Sequence, residues 1–179
     1  AIHQVVSDYH LIINPDVIND VKNIVIAIKY MEQHRNVGLL APDAFYPDGS
    51  RQYIAKRQPE IIVLLARACG FKPEWKWLKR KMDYYEYRDL IPANAPTEIE
   101  LASGCYMFCR TSTLQKVKGF DPKYFMYFED FDLSKKIKIF SKISHLPNLK
   151  IVHAGGGAAR KGFSHIFNFF KSMCQFIIE

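Results

Sequence analysis

The chain has no hydrophobic run long enough to cross a bilayer. A spanning helix needs roughly 18–20 consecutive apolar residues, and the greasiest stretch, 163–178, is interrupted by Lys171 and by polar side chains. Cysteine is scarce. Cys69, Cys105, Cys109 and Cys174 form no CxxC pair and match no zinc spacing, which excludes a zinc module or a disulfide scaffold as the organising principle. All four are expected to be reduced core thiols of a cytosolic protein. There is no internal repeat and no low-complexity segment, so solenoids and disordered linkers are excluded. Residues 1–10 are polar and do not read as a secretory signal, which favours a cytoplasmic location. Acidic residues are in deficit, 18 against 25 basic, leaving a net charge of +7. That excess suits any anionic partner, whether nucleic acid, membrane or a diphosphate-bearing substrate, and selects none of them.

What is present is the material for one well-packed domain. The chain has 179 residues, 49% of them hydrophobic, with 13 Phe and 10 Tyr. Ala1–Ser7 reads as the tail of a helix. Tyr9–Ile13 is an apolar run of β-formers, and Pro15, which has no N–H to donate, must end it at Asn14-Pro15-Asp16. Asn19 and Asp20 are N-cap residues for a helix that places Val21, Ile24, Val25, Ile28 and Met31 on one face, to about His34. Val37–Ala41 is the next strand, closed by Pro42. Strand, helix and strand in this order imply an α/β sheet. Residues 43–49 read as a turn centred on Pro47-Asp48-Gly49, and 59–68 as a helix stopped by Gly70. The segment 71–97, dense in Lys, Arg, Tyr and Trp, reads as a mobile surface connection. Ile99–Arg110 is a buried strand broken at Ser103-Gly104. Thr111–Val117 is a short helix stopped by Gly119, and Asp130–Phe140 is a second helix. Ile143–Leu146 and Leu149–His153 are two short strands, a Gly155–Gly157 loop follows, and 163–178 is an aromatic amphipathic helix.

Four constellations could carry chemistry. Asp16 lies at the C-terminal end of a strand, where open α/β sheets bind ligands and where a carboxylate can reach a hard cation; a plain Pro-Asp turn explains the tripeptide equally simply. Glu129, Asp130 and Asp132 crowd one helix start behind the aromatic run 124–128. The helix dipole stabilises such acids, but an aromatic wall also tunes the proton affinity of a general base. His153 ends a strand beside glycines, a suitable place for a metal ligand or for a structural imidazole. Ser103-Gly104 interrupts a strand and admits either a ligand or a packing bend.

Taken in order, LIINPDV at 11–17, VGLLAPDAFYPDGSRQ at 37–52, ASGCYMFCR at 102–110, GFDPKYFMYFEDFDLSKKI at 119–137 and IVHAGGG at 151–157 resemble the family-2 glycosyltransferases, in particular the bacterial rhamnosyltransferase-like branch. The resemblance implies a GT-A fold, a mixed α/β sheet flanked by helices, without the first nucleotide-binding β-α units of that fold. It divides the chain into a partial GT-A domain, 1–158, and a C-terminal amphipathic helix, 159–179. It implies that Asp16 takes the place of the last acid of the DxD motif, with Asn14 replacing the first, and that His153 completes a Mg²⁺ or Mn²⁺ site against the donor's diphosphate. Asp130 matches the catalytic base. Ser103 and Gly104 match the loop beneath the acceptor, with Glu129, Arg51, Arg57 and Arg110 as helpers near donor or acceptor.

The implied activity is inverting, metal-dependent transfer of a sugar such as rhamnose. The donor is a nucleotide-diphospho-sugar (dTDP-rhamnose or a UDP-sugar) and the acceptor a saccharide or lipid-linked saccharide of a bacterial surface polysaccharide. Residues 160–178 suit peripheral contact with the inner face of the cell membrane; packing within the domain or across a homo-oligomer interface suits them equally. Two rival readings stand beside the enzyme. One is a non-catalytic remnant acting as a binding module. The other is a nucleic-acid-binding domain, supported only by the basic aromatic stretch 72–88 and lacking any recognised motif, so no nucleic-acid partner is expected.

Overall fold

The computed structural model describes residues 6–68, 75–92, 94–155 and 163–178, with the side chains of 68, 163, 164 and 166 left undescribed. Gly70, Cys69, Gly156, Gly157, Arg160 and Lys161, to which sequence reasoning gave roles, lie outside the described residues, as do 1–5.

Strand β1, Tyr9–Ile13, pairs antiparallel with β8, Tyr106–Arg110. Val6 and Ser7 precede it without helical structure, so no helix tail is seen there among the described residues. Pro15 ends β1, and a short β2, Val17–Asn19, leads into helix α1, Val21–Gln33. Asp20 caps α1 by accepting from the Lys22 N–H at 2.9 Å. Strand β3, Val37–Phe45, is central, flanked by β8 and by β9, Lys142–His153. The sheet order is β1-β8-β3-β9-β2, with β3 and β9 parallel and the other pairs antiparallel. The two-residue strands β4, Arg51–Gln52, and β6, Thr97–Glu98, add to β3 and β9 respectively.

The side-chain period of two feeds two cores. Leu39, Ala41, Met107 and Cys109 face one side, where they meet Leu114 of α4, Thr111–Lys116, and Leu133 and Ile137 of α5, Glu129–Lys138. Leu40, Ala44, Tyr106 and Phe108 face the other, against Ala27 and Met31 of α1. A sheet buried on both faces explains why β3 and β8 read as continuous apolar runs rather than alternating ones.

Pro42 does not close β3, contrary to expectation. The register of β3 against β9 shifts between Pro42 and Asp43, and Pro147, Asn148 and Leu149 are looped out opposite that step. A missing N–H is tolerated where the ladder is already broken. The two short strands expected over 143–153 are therefore one bulged strand, and the turn expected over 43–49 is confined to residues 46–50.

The segment expected to be mobile contains an ordered helix, α3, Lys76–Tyr85, which buries Leu78 and Tyr85 next to α2, Ile61–Ala68. Strands β5, Ala55–Lys56, and β7, Leu101–Ala102, form a small second sheet. Helix α6, Phe163–Ile178, seats Met173 and Phe176 in an aromatic cluster with Leu64, Tyr124 and Phe128. One face of α6 is thus used inside the domain, while Phe167 and Ile178 stay exposed. No helix of the described residues is long and apolar enough to span a membrane. Cys105 and Cys109 are buried free thiols as expected, whereas Cys174 on α6 is exposed and is not a core residue.

Candidate active site

Strand ends and helix starts converge on a cavity of about 410 Å³ lined by Ser103, Glu129, Asp130, His153 and Arg51, among others. Its floor is the break between β7 and β8. There Gly104 donates its N–H to Asp130 Oδ2 at 2.7 Å, and the Phe131 N–H reaches Oδ1 at 2.9 Å. A glycine relieves crowding at this approach. A Cβ on Gly104 would lie 3.2 Å from Asp130 Cβ, tighter than ordinary packing.

Burial pushes the Asp130 carboxyl up to about 7, and the neighbouring Glu129 charge adds to the rise; the Gly104 and Phe131 N–H bonds work the other way without cancelling it. Glu129 is also raised by burial, and its buried Oε2 has no hydrogen-bond partner among the described residues. The backbone just before this pair is strained. Tyr127 and Phe128 both adopt left-handed conformations, φ 69° and 64°, uncommon for aromatic residues. Phe128 is held there by packing between Phe131, Phe169 and Phe176. Strain of this kind, over-determined by its surroundings, re-aims the chain so that Glu129 and Asp130 face the cavity. Asp132, the third acid, instead pairs with Lys136 at 2.7 Å and is spent on the helix.

At the sheet edge, His153 Nε2 lies 3.3 Å from Asp16 Oδ2, brought there by the pairing of Val17 with His153 and by an Ala154 N–H to Asp16 carbonyl bond. His153 Nδ1 contacts Gln52 Oε1 at 2.8 Å. A glutamine oxygen accepts, so Nδ1 carries the proton and Nε2 is left to share a proton or a cation with Asp16. Imidazoles that ligate metals are commonly fixed in this way through the other ring nitrogen. No group of three or more His, Cys, Asp or Glu side chains is arranged to hold a metal ion among the described residues. Asp16 and His153 could supply two ligands to a cation such as Mg²⁺ or Mn²⁺, which takes its remaining oxygens from water and substrate phosphate. Asn14 holds the turn, its N–H donating to the Cys105 carbonyl at 3.0 Å.

Part of the lining is basic, and the sequence reading missed it. Glu86, just after α3, accepts from Lys56 at 3.0 Å, Arg67 at 2.9 Å and Arg88 at 2.7 Å. Burial alone would raise the Glu86 carboxyl, but these three cations hold it below its ordinary value. Burial pushes Lys56 down to about 8 despite that partner. Tyr85 lies in the same wall, buried enough to keep its phenol protonated. The signal that could have found this wall was the recurrence of buried Leu78 and Tyr85 at helical spacing, which marks α3 as ordered.

Two expected helpers lie elsewhere. Arg57 does not line the cavity. Its guanidinium is stacked on Tyr84 and Tyr87, 3.9 and 4.0 Å from the ring centres, and forks onto Asp89 at 2.7 and 2.8 Å. Arg110 is at the far end of β8, donating to the Met31 carbonyl at 2.9 Å. Arg51 does line the cavity, anchored by an ion pair to buried Asp43 and set over the Phe45 ring.

Compared with known proteins, the chain is 28% identical over 97% of its length to N-acetylglucosaminyl-diphospho-decaprenol L-rhamnosyltransferase of Mycobacterium tuberculosis, of which the match covers 56%. It is 25% identical over 89% of its length to rhamnosyltransferase WbbL of Escherichia coli K12, covering 57% of that protein. The chain therefore spans just over half the length of these relatives. No protein-family model matches it. The chain is rhamnosyltransferase-like along nearly its whole sequence, and its mixed sheet flanked by helices is consistent with a GT-A-like glycosyltransferase fold.

Proposed function

We propose that this chain carries the acceptor-side and catalytic chemistry of an inverting glycosyl transfer. The sugar, rhamnose in the simplest reading, comes from a nucleotide-diphosphate donor and goes to a saccharide or lipid-linked acceptor in surface polysaccharide synthesis. One observation carries the reading. Asp130 is a carboxylate whose proton affinity is centred near neutrality, and it lines the same cavity as His153, whose Nε2 lies 3.3 Å from Asp16.

A general base works best when its pKa lies near the working pH. Each Asp130 oxygen accepts one main-chain N–H, which orients the carboxylate and leaves lone pairs free for an incoming hydroxyl. Asp130 takes the hydroxyl proton as that oxygen bonds to the anomeric carbon of the donor. The bond from the anomeric carbon to the diphosphate oxygen breaks, and its electron pair leaves with the diphosphate. One displacement inverts the configuration, and no carboxylate nucleophile is needed. Glu129 lines the same cavity, and its buried Oε2 has no hydrogen-bond partner among the described residues, which suits it to accept from a second acceptor hydroxyl. Asp16 and His153 would hold a divalent cation, which when bound stabilises the charge gained by the leaving diphosphate. Contact of the outer face of α6 with a membrane surface, through Phe167 and Ile178, would bring a lipid-linked acceptor to the cavity.

The test is sugar transfer measured for the wild-type chain and for Asp130→Asn, with circular dichroism to show that both fold. A loss of about 10²–10⁴-fold supports the base assignment. Equal rates, or no transfer by either protein under any donor, support a binding module instead.

A further inference from the structure

The cavity is electrically divided. Its lining brings together two acids, Asp130 and Glu129, and a basic wall of three cations, Lys56, Arg67 and Arg88, contributed by β5, α2 and the residues after α3. In that wall three cations meet one carboxylate, Glu86. The nearest further acid, Asp83, is 3.3 Å from Arg88 but is already paired with Lys79 at 2.7 Å. The wall thus keeps an excess of positive charge at the cavity surface, which attracts anions. Arg67 and Arg88 are 39% and 44% exposed, so their guanidinium groups are only partly committed to the fold. A guanidinium carries five N–H donors in a fork that matches phosphate oxygens. Arg67 directs one bond to Glu86. Arg88 is further fixed by stacking over Tyr53, its guanidinium carbon 4.1 Å from the ring centre.

We propose that Lys56, Arg67 and Arg88 form a second anion site, separate from the Asp16–His153 pair, that receives a phosphate or diphosphate carried by the acceptor. The inference rests on the glycosyl-transfer reading of the cavity and narrows its substrate. An acceptor that spans the cavity presents a hydroxyl to Asp130 and a phosphorylated end to the basic wall. A donor diphosphate is drawn instead to Asp16 and His153, which can hold a cation.

The test uses the full chain and inorganic pyrophosphate, titrated by calorimetry in the presence of a chelator so that no divalent ion can bridge Asp16 and His153. Binding by the wild type is expected, weakened about tenfold or more in Arg67→Gln and in Arg88→Gln and unchanged in Asp16→Asn. Absence of binding, binding unchanged in both arginine variants, or binding lost in Asp16→Asn overturns the proposal. So does equal affinity for sulfate, which would mean an adventitious ion only. Transfer assays identify the source of the phosphate. The preference in kcat/KM for a diphosphate-bearing acceptor over the same saccharide as a methyl glycoside should fall about tenfold in both arginine variants. A rise in donor KM with that preference intact would place the donor's diphosphate on the wall and overturn the assignment. Loss of transfer in Asp130→Asn, with no pyrophosphate binding to any variant, would sink this proposal and leave the base assignment standing.

Discussion

In one part of the cavity lining Asp130 is held by two main-chain N–H groups, whereas in another Lys56, Arg67 and Arg88 are gathered by a single side chain, Glu86. Both carboxylates are substantially buried, yet their proton affinities move in opposite directions. Asp130 has a like charge beside it and only amide dipoles to offset burial, so it rises. Glu86 has three cations, so it falls. Burial alone decides neither; the sign is set by what the fold places next to each group. A base that must take a proton near neutrality belongs in the first part, and a charge frame for an anion belongs in the second.

The largest effect that can break this contrast is at the base. Asp130→Asn is expected to lower transfer about 10²–10⁴-fold, and wild-type kcat/KM should rise with pH through about 7, the limb disappearing in the variant. A limb near pH 4 would show that Asp130 is an ordinary carboxylate. Gly104→Val comes next. The added side chain crowds Asp130, and transfer should fall roughly 10–100-fold while the fold survives, read as a shift of the same pH limb. Third, His153→Ala should raise the concentration of Mg²⁺ or Mn²⁺ needed for half-maximal transfer by about tenfold or more; an unchanged requirement would remove His153 from the cation site.

Smaller effects sharpen the electrostatic difference through stability. Asp130 binds its proton more tightly in the folded chain than at its ordinary value of 3.8, so it favours folding at low pH and loses that contribution as pH rises from about 4 through 7. Asp130→Asn should therefore raise Tm at pH 8 by about 3–6 °C. Glu86 has the reverse sign: its contribution is present above its ordinary value of 4.5 and is lost as pH falls below that. Glu86→Gln should lower Tm at pH 7 and leave it nearly unchanged under strongly acidic conditions. The smallest expected change is Arg57→Lys, which loses the fork to Asp89 and the stacking on Tyr84 and Tyr87. It should cost about 1–2 kcal/mol in denaturant unfolding without altering the acceptor preference.

Much of the sheet was legible along the chain. The bounds of β1 and the start of α1 follow from Pro15 and Asp20, local signals that no later contact had to override. Pro42 misled because proline normally terminates a strand, and only the partner β9, with Pro147, Asn148 and Leu149 looped out, makes room for it. The stretch 71–97 misled for a different reason. Its Lys, Arg and Tyr side chains read as solvated surface, while Leu78 and Tyr85 are buried and the rings of Tyr84 and Tyr87 take up the guanidinium of Arg57, a residue from outside the stretch. Arg57 looked like a substrate contact for want of knowing that two tyrosines and an aspartate would claim it.

The residue types, their order and the strand periods were enough to determine an α/β chain with acids at a helix start, a Pro-Asp turn and a histidine at a strand end, because these depend on backbone chemistry within a few residues. The tertiary structure alone decided that His153 meets Asp16 across a strand pair, that Gly104 rather than solvent binds Asp130, and that three cations from distant segments share Glu86. Those arrangements join residues tens of positions apart, and the proton affinities they produce depend on distance and desolvation, neither of which exists until the chain has folded.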